Sequence, residues 1–238
     1  ESGFNSRLAT FSRGQIGDFF SATLSPELRI NEKGSVNARV LEGFAKFTQY
    51  NVEAGGGRES LWWGPGFNGS MLLSTNGRPF DLIKAGAAEQ FTLPWIFEYL
   101  GPMKLTYFLG QLGGGGQFPH TKLTGLRLNL TPASFLELGF SRVVQFNGEG
   151  RPALGFGDYL QILFGPGSDD LNSPLNNNTL LSADFSLRIP NVSRYLPLFR
   201  DVEIYGELGW DDTCCNGVLI PLLPGGIIGL YSPNLFGS

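Results

Sequence analysis

The chain has 238 residues, of which 16 % are charged and 13 % aromatic, with 34 glycines and a formal net charge of −4. That balance, without any basic stripe, excludes nucleic acid as the main partner. No stretch of about 18 apolar residues occurs, so no membrane-spanning helix is expected. The nearest candidate, residues 217–231, is interrupted by Pro221, Pro224 and the Gly225-Gly226 pair.

The chain opens at Glu1 without a signal segment, as expected of a mature or trimmed polypeptide. The first predicted strand covers 19–31. There Phe20, Ala22, Leu24, Pro26, Leu28 and Ile30 alternate with Ser21, Thr23, Ser25, Glu27, Arg29 and Asn31. Successive strand side chains point to opposite faces, so the segment separates an apolar medium from a wet one. Asn31-Glu32-Lys33-Gly34 carries turn chemistry, and a second strand is expected over 35–51. Its apolar phase passes from Val36, Ala38 and Val40 to Leu41, Ala45 and Phe47. One extra residue near Val40-Leu41 therefore predicts a β-bulge.

Further strands are expected at 81–93, 103–112, 121–131, 134–146, 179–189 and 201–211, with shorter ones near 54–62, 69–75 and 218–231. Leu181, Ala183, Phe185, Leu187 and Ile189 alternate with Ser182, Asp184, Ser186 and Arg188. In the following strand, Val202, Ile204, Leu208 and Trp210 oppose Glu203, Tyr205 and Glu207, which the alternation puts on a wet inner face. Only 156–164 (FGDYLQILF) has the character of a short helix or a pinned loop.

The links are unequal. Thr131-Pro132-Ala133-Ser134 is a tight turn, whereas 110–120 contains Gly113 to Gly116 and 147–178 is long and rich in Gly, Asn, Asp and Pro. Strand parity puts 110–120, 147–178 and the link after Trp210 on one side of the sheet, with the turn at 132 and the link 190–200 on the other. Short turns on one side and long loops on the other are the pattern of outer-membrane barrels. A soluble β-sandwich is the alternative, with the apolar face packed on a second sheet.

Cys214 and Cys215 are adjacent, which builds no disulfide framework, and the sole histidine is His120. Neither a metal nor a cofactor is expected. A hydrolytic triad would have to use His120, and no G-x-S-x-G elbow exists, because Gly69-Ser70-Met71 lacks the frame. The expectation is a protein without catalysis.

Residues 58–80 read RESLWWGPGFNGSMLLSTNGRPF. Trp62 and Trp63 precede the forced turn Gly64-Pro65-Gly66 and are flanked by Arg58 and Arg78. Two indoles beside a rigid turn form either a platform for a sugar ring, an aromatic girdle or plain packing. Arg58 and Arg78 suit the carboxylate of an acidic sugar, or pair with Glu59 or Asp81 inside the lumen. The long link supplies Asn147, Glu149, Arg151 and Tyr159 as further glycan-binding candidates, unless it folds into the lumen as a plug. Arg142, near the end of a strand, reads as a lumen ion-pair partner of Glu149 or Glu137.

With WWGPG at 62–66, GSMLLS at 69–74 and NGRPF at 76–80, the sequence resembles the Wzi-type capsule assembly proteins of Gram-negative outer membranes. LGPMKLTYFLGQL at 100–112, GLRLNLTPASFLELGFSRVVQFNGEGRP at 125–152 and EIYGELGWDD at 203–212 extend the likeness in the family's order. Gly77 stands where the family usually has Ala. The resemblance implies an all-β, antiparallel transmembrane β-barrel whose lumen is plugged by loops. It implies a lectin-like protein that binds and organises capsular polysaccharide or exopolysaccharide at the cell surface. A diffusion porin is the alternative. Residues 1–238 are then one barrel domain, incomplete at both ends and closed by further strands or a partner chain, with outer-membrane lipid around it.

Overall fold

A computed structural model describes residues 5–196, 198–211, 213–214, 220–221 and 224–233. Twelve antiparallel strands form one sheet. In chain order these are β1 (Ser6–Ala9), β2 (Ser12–Ile16), β3 (Phe20–Ile30), β4 (Val36–Gln49), β5 (Val52–Glu59), β6 (Phe80–Ala87), β7 (Met103–Gln111), β8 (Lys122–Ala133), β9 (Leu136–Phe146), β10 (Asn177–Ile189) and β11 (Val202–Asp211), with β14 (Gly225–Tyr231) at the far edge. The short strands β12 (Thr213–Cys214) and β13 (Ile220–Pro221) pair separately. Cys214 thus lies on a strand, while Cys215 lies outside the described residues.

From β3 to β11 each strand pairs with its neighbour in sequence, the meander that hairpin connections produce. Both β1 and β2 pair with β3, as two halves of one interrupted edge strand. Sequence reading missed them because SRLA and SRGQI are short and barely alternate. Among the described residues the sheet is not closed: β1 with β2 and β14 form its two edges.

The predicted bulge is present. Ser25 pairs with Glu42 and Pro26 with Val40, leaving Leu41 as the extra residue. The predicted strand at 69–75 is absent and is represented only by an isolated bridge between Trp63 and Leu73. The strand expected over 81–93 ends at Ala87, and a 3-10 helix, Trp95–Leu100, occupies the link instead. Residues 156–164 form helix α1 (Phe156–Phe164).

Cross-strand partners share a face, so the register sorts the side chains. One row runs Ala22, Ala45, Gly56, Ile83, Leu109, Thr124, Val144 and Thr179, and a parallel row includes Leu105, Leu128, Phe140, Ala183 and Leu208. This is the outward face. Its Leu24, Leu28, Val40, Phe47, Ile83, Phe140, Phe185 and Leu208 are exposed, with no second sheet over them among the described residues. A band of that size on one face of a sheet is the signature of a membrane surface rather than of a soluble sandwich.

The opposite face is polar and glycine-rich. Arg127, Ser141, Ser182, Asp184, Ser186 and Glu207 are buried there. Glu203, Tyr205 and Glu207 point inward, as their alternation requires.

The connections divide by length. The links 60–79, 112–121 and 147–176 open at one end, with the short turn 31–35. The two-residue turns Tyr50-Asn51 and Ser134-Phe135 lie at the other end, with the links 88–102 and 190–201. The second of these turns sits slightly later than expected, because β8 continues past an irregularity between Leu130 and Ala133. Tyr50 and Asn51 both have positive φ, 49° and 63°, which gives the tight hairpin its twist. The exposed Tyr50, Trp95, Tyr99 and Tyr195 gather at this tight-turn end, where a barrel carries one of its aromatic girdles.

Candidate functional site

The segment 60–79 leaves β5 at the long-loop end and folds back over the inner face of the sheet. Trp63 is its anchor. Its backbone N–H donates to the Leu73 carbonyl at 3.0 Å. Its ring lies edge-on to Phe108 at 5.2 Å within a cluster of Leu61, Leu82, Leu123 and Val143. Gly125 faces that ring, and a Cβ there would stand 2.9 Å from the indole. Glycine at this position is what lets a tryptophan lie close against the wall.

The segment continues across to the far strands. Phe67 stacks on Tyr231 at 4.1 Å and meets Tyr205 edge-on at 5.5 Å. The Ser70 hydroxyl donates to the Trp63 carbonyl and lies 3.2 Å from Glu207 Oε1. Met71 fills the space left by Gly209 and Gly225. Gly64, with φ of 142°, turns the chain beside the Glu207 carboxylate. Residues 60–79 are therefore an internal plug spanning from β5 and β6 to β11 and β14.

Two cavities lie on either side of this plug. The outer one, about 750 Å³, opens toward the long-loop end. Leu61, Leu72, Leu73 and Leu123 form its apolar lining, and Ser60, Ser74, Arg78, Gln111 and His120 supply polar groups. Arg78 makes no hydrogen bond or ion pair with the described residues. Arg58 and Asp81 join at the rim in a bidentate pair of 2.8 and 2.7 Å.

The inner cavity, about 380 Å³, lies toward the tight-turn end and is lined by Trp62, Lys104, Arg127, Asp184, Arg188 and Glu203 among others. Most of its charges satisfy one another, and Lys104 donates to the Ala88 carbonyl at 2.9 Å. Arg127 holds Asp184 through two bonds of 2.8 and 3.0 Å, Ser141 at 2.8 Å and Asn129 at 3.0 Å. Asn129 donates to Glu137 at 3.0 Å, and Ser186 to Glu203 at 2.5 Å.

The eight sequence candidates do not form one site. Arg58 and Arg78 border the outer cavity, whereas Trp62 borders the inner one and donates from Nε1 to the Gly64 carbonyl at 3.2 Å. Trp63 is only 5 % exposed, so its ring is a packing element and not a stacking surface. Arg58 does pair with Asp81, but on the outward face, because it shares a row with Leu24 and Gly43; the lumen pairing is corrected.

Asn147 is a turn residue with φ of 55°, donating to the Pro152 carbonyl at 3.3 Å. Glu149 meets His120 Nδ1 at 2.5 Å, tying the link after β9 to the glycine-rich loop before β8. The Arg151 guanidinium lies 4.1 Å from the Phe118 ring centre and donates to the Leu171 carbonyl at 2.9 Å. These three gather at the long-loop end beside His120.

Tyr159 goes elsewhere. It lies on α1, bonds the Tyr107 hydroxyl and approaches Thr124 Oγ1 at 3.2 Å, both on the outward face. Arg142 is also outward, in the row of Tyr107 and Leu181. Its Nη2 donates to the carbonyls of Ile162 at 3.2 Å and Gly165 at 2.8 Å. The expected lumen pair of Arg142 with Glu149 or Glu137 is thus replaced by a clamp on a helix end. The long link holding α1 packs outside the wall, and the plug is the 60–79 segment.

Sequence reasoning missed His120 as the partner of Glu149 and Ser70 as the partner of Glu207. The second pair is 137 residues apart, and no local signal marks it. Among the described residues no group of three or more His, Cys, Asp or Glu is placed to hold a metal ion.

Known proteins share this architecture. A family model described as "Capsule assembly protein Wzi" matches residues 1–238. A Klebsiella pneumoniae protein described as an "Uncharacterized 55.8 kDa protein in cps region" is 31 % identical over 188 residues, covering 77 % of this chain and 35 % of that protein. The solved structure of Escherichia coli Wzi superimposes with a TM-score of 0.74 at 24 % identity, over 94 % of this chain and 46 % of that one. That structure is described as an outer membrane protein involved in group 1 capsule assembly and a carbohydrate-binding β-barrel. The chain spans about a third to a half of the length of these relatives.

Proposed function

Since the chain belongs to the Wzi family of capsule assembly proteins, located in the outer membrane, we propose that it binds and organises capsular polysaccharide or exopolysaccharide at the cell surface. In this reading it is part of one larger barrel domain, with outer-membrane lipid against its outward face. It acts as a lectin-like attachment protein without catalysis.

The observation that carries the reading is the outer cavity. It is large enough for a few sugar rings, has apolar patches for their C–H faces, and contains in Arg78 a cation with no partner among the described residues. An acidic polysaccharide supplies the missing carboxylate, which a guanidinium holds bidentately. The Arg58–Asp81 pair and the His120–Glu149 pair offer polar groups at the entrance, and Arg151 with Asn147 shapes the adjoining loop. Trp62 and Trp63 serve by holding the plug that floors this cavity.

The alternative, a diffusion porin, needs an open lumen. The plug and the self-satisfied charges beneath it weigh against that alternative.

The test uses the full-length protein in detergent and the source cell's own surface polysaccharide. Arg78→Ala is expected to weaken binding by about tenfold, and added salt to weaken the parent more than the variant. Deleting the gene is expected to release polysaccharide into the medium. Full retention of polysaccharide on the deleted cells, with no binding in detergent, refutes the proposal.

A further inference from the structure

Helix α1 has three kinds of face. Tyr159 and Ile162 pack on the outward side of the wall, in a cluster with Leu109, Val144, Phe146, Leu154 and Leu175. Phe156, Leu160 and Phe164 follow one another at four-residue spacing and are exposed, by 79 %, 41 % and 67 %. Gly157, Asp158 and Gln161 occupy the opposite arc, and half-buried Leu163 lies between the wall contact and the apolar stripe. At 100° per residue, the apolar stripe lies to one side of the wall contact and the polar arc to the other.

The wall itself marks the height at which the helix sits. In the outward row beside it, Ile83, Leu109, Thr124 and Val144 are followed two residues further along each strand by Asp81, Gln111, Lys122 and Phe146. Ile83 thus gives way to Asp81 and Leu109 to Gln111, with Lys122 at the same level and Phe146 beside it, within one strand repeat of about 7 Å. That change is where hydrocarbon ends and headgroups begin. Because long loops occupy the outward-facing end of outer-membrane barrels, this boundary belongs to the outer leaflet. The helix straddles it, packed on Val144 and Phe146.

Arg142 explains why the helix stays there. A guanidinium on the outward face, among Tyr107, Leu126 and Leu181, would otherwise face acyl chains without a hydrogen-bond acceptor, which is unfavourable. The carbonyls of Ile162 and Gly165 meet it instead, and the same bonds satisfy the open end of the helix.

We infer that α1 is an interfacial helix clamped to the outside of the barrel, with Phe156, Leu160 and Phe164 inserted among the acyl chains of the outer leaflet. The occupant of the stripe is lipid because the stripe is exposed on the same outward side as the apolar band of the wall, on a helix packed at the upper limit of that band. The helix widens the hydrophobic girth of the protein at the end where the outer cavity opens, and fixes the depth of the loops around it.

The test places a single added tryptophan in the full-length protein, reconstituted in phosphatidylcholine vesicles. Emission is read as the difference from the parent. Leu160→Trp is expected to add blue-shifted emission that falls by about half when the lipid is brominated near the headgroup end of its chains. Gln161→Trp, on the polar arc, is expected to ignore the bromine and respond to iodide in the water. Phe164→Trp serves as a second reporter should Leu160→Trp fail to fold, as judged by heat-dependent mobility on a denaturing gel. The inference is overturned if the stripe reporters respond to iodide as Gln161→Trp does. It is equally overturned if they are shielded from both quenchers, which would mean that protein or glycan covers the stripe.

Discussion

Replacing Trp63 with alanine tests the internal plug. Trp63 is the most deeply buried large hydrophobic side chain of the 60–79 segment; it meets Phe108 edge-on and packs in a cluster with Leu61, Leu82, Leu123 and Val143. Truncating a buried aromatic side chain costs about 3–5 kcal/mol. The strands on either side of the cluster keep their ladders, so the loss falls on the docking of the segment rather than on the wall. At about 1.4 kcal/mol per tenfold, the undocked population rises by roughly two to three and a half orders of magnitude. Phe67 against Tyr231, Ser70 against Glu207 and Met71 against Gly209 remain, which makes the expected change an increase in opening and not permanent release. Planar-bilayer recordings of the full-length protein should then show brief openings where the parent is nearly silent. Protease added from the loop side should cut within 60–79. Trp62→Ala is the control: that ring is only partly buried and has one hydrogen bond, to Gly64, worth about 1 kcal/mol. If Trp63→Ala is as silent and as resistant as the parent, the segment does not seal the lumen and the reasoning fails. A steady, large conductance in the parent would instead favour the porin.

The inner network offers a double-mutant cycle. Asp184→Leu or Arg127→Met alone leaves one buried charge without its partner and should cost about 3–5 kcal/mol in urea unfolding, whereas the pair of changes together should cost much less than their sum; additive effects would mean that water screens the pair in the lumen. Arg142→Ala strips the Ile162 and Gly165 carbonyls of their donor, a loss of about 1–3 kcal/mol, and should speed protease cleavage within 147–176 while leaving the plug intact. An unchanged cleavage rate would show that Ile162 and Tyr159 suffice to hold the helix. Gly125→Leu should force Trp63 and Phe108 apart and reproduce the conductance of Trp63→Ala, and a quiet lumen in that variant would contradict the proposed packing.

The wall is legible in the residues because a sheet between water and an apolar medium writes a period of two into each strand. Phe20 to Asn31 and Leu181 to Ile189 carry that period without a break, and even the extra Leu41 shows as a phase change. Strand parity sorts 110–120, 147–178 and the turn near 132 to their ends, but it leaves 52–80 ambiguous, because the irregular segment 60–79 carries no alternation to count. The edge strands β1 and β2 leave no such mark because four- and five-residue strands hold too few alternations.

The site is less legible, and the reason is distance along the chain. Alternation says that Glu207 faces inward, but only folding brings Ser70 to it across 137 residues. Arg58 and Arg78 flank the tryptophan pair in sequence, yet the folded chain puts Trp62 at the inner cavity, on the far side of the plug from them, with its indole held by the Gly64 carbonyl. Arg142 reads as a lumen charge because a guanidinium ought to avoid the outward face, and only the docked end of α1 removes that objection. By itself, then, the order of residues determined which medium each strand face meets, since that depends on neighbours two positions away. Which loop fills the lumen and which one rests against the outside depended on space left by glycines on distant strands, Gly125, Gly209 and Gly225, and that is a property of the assembled sheet alone.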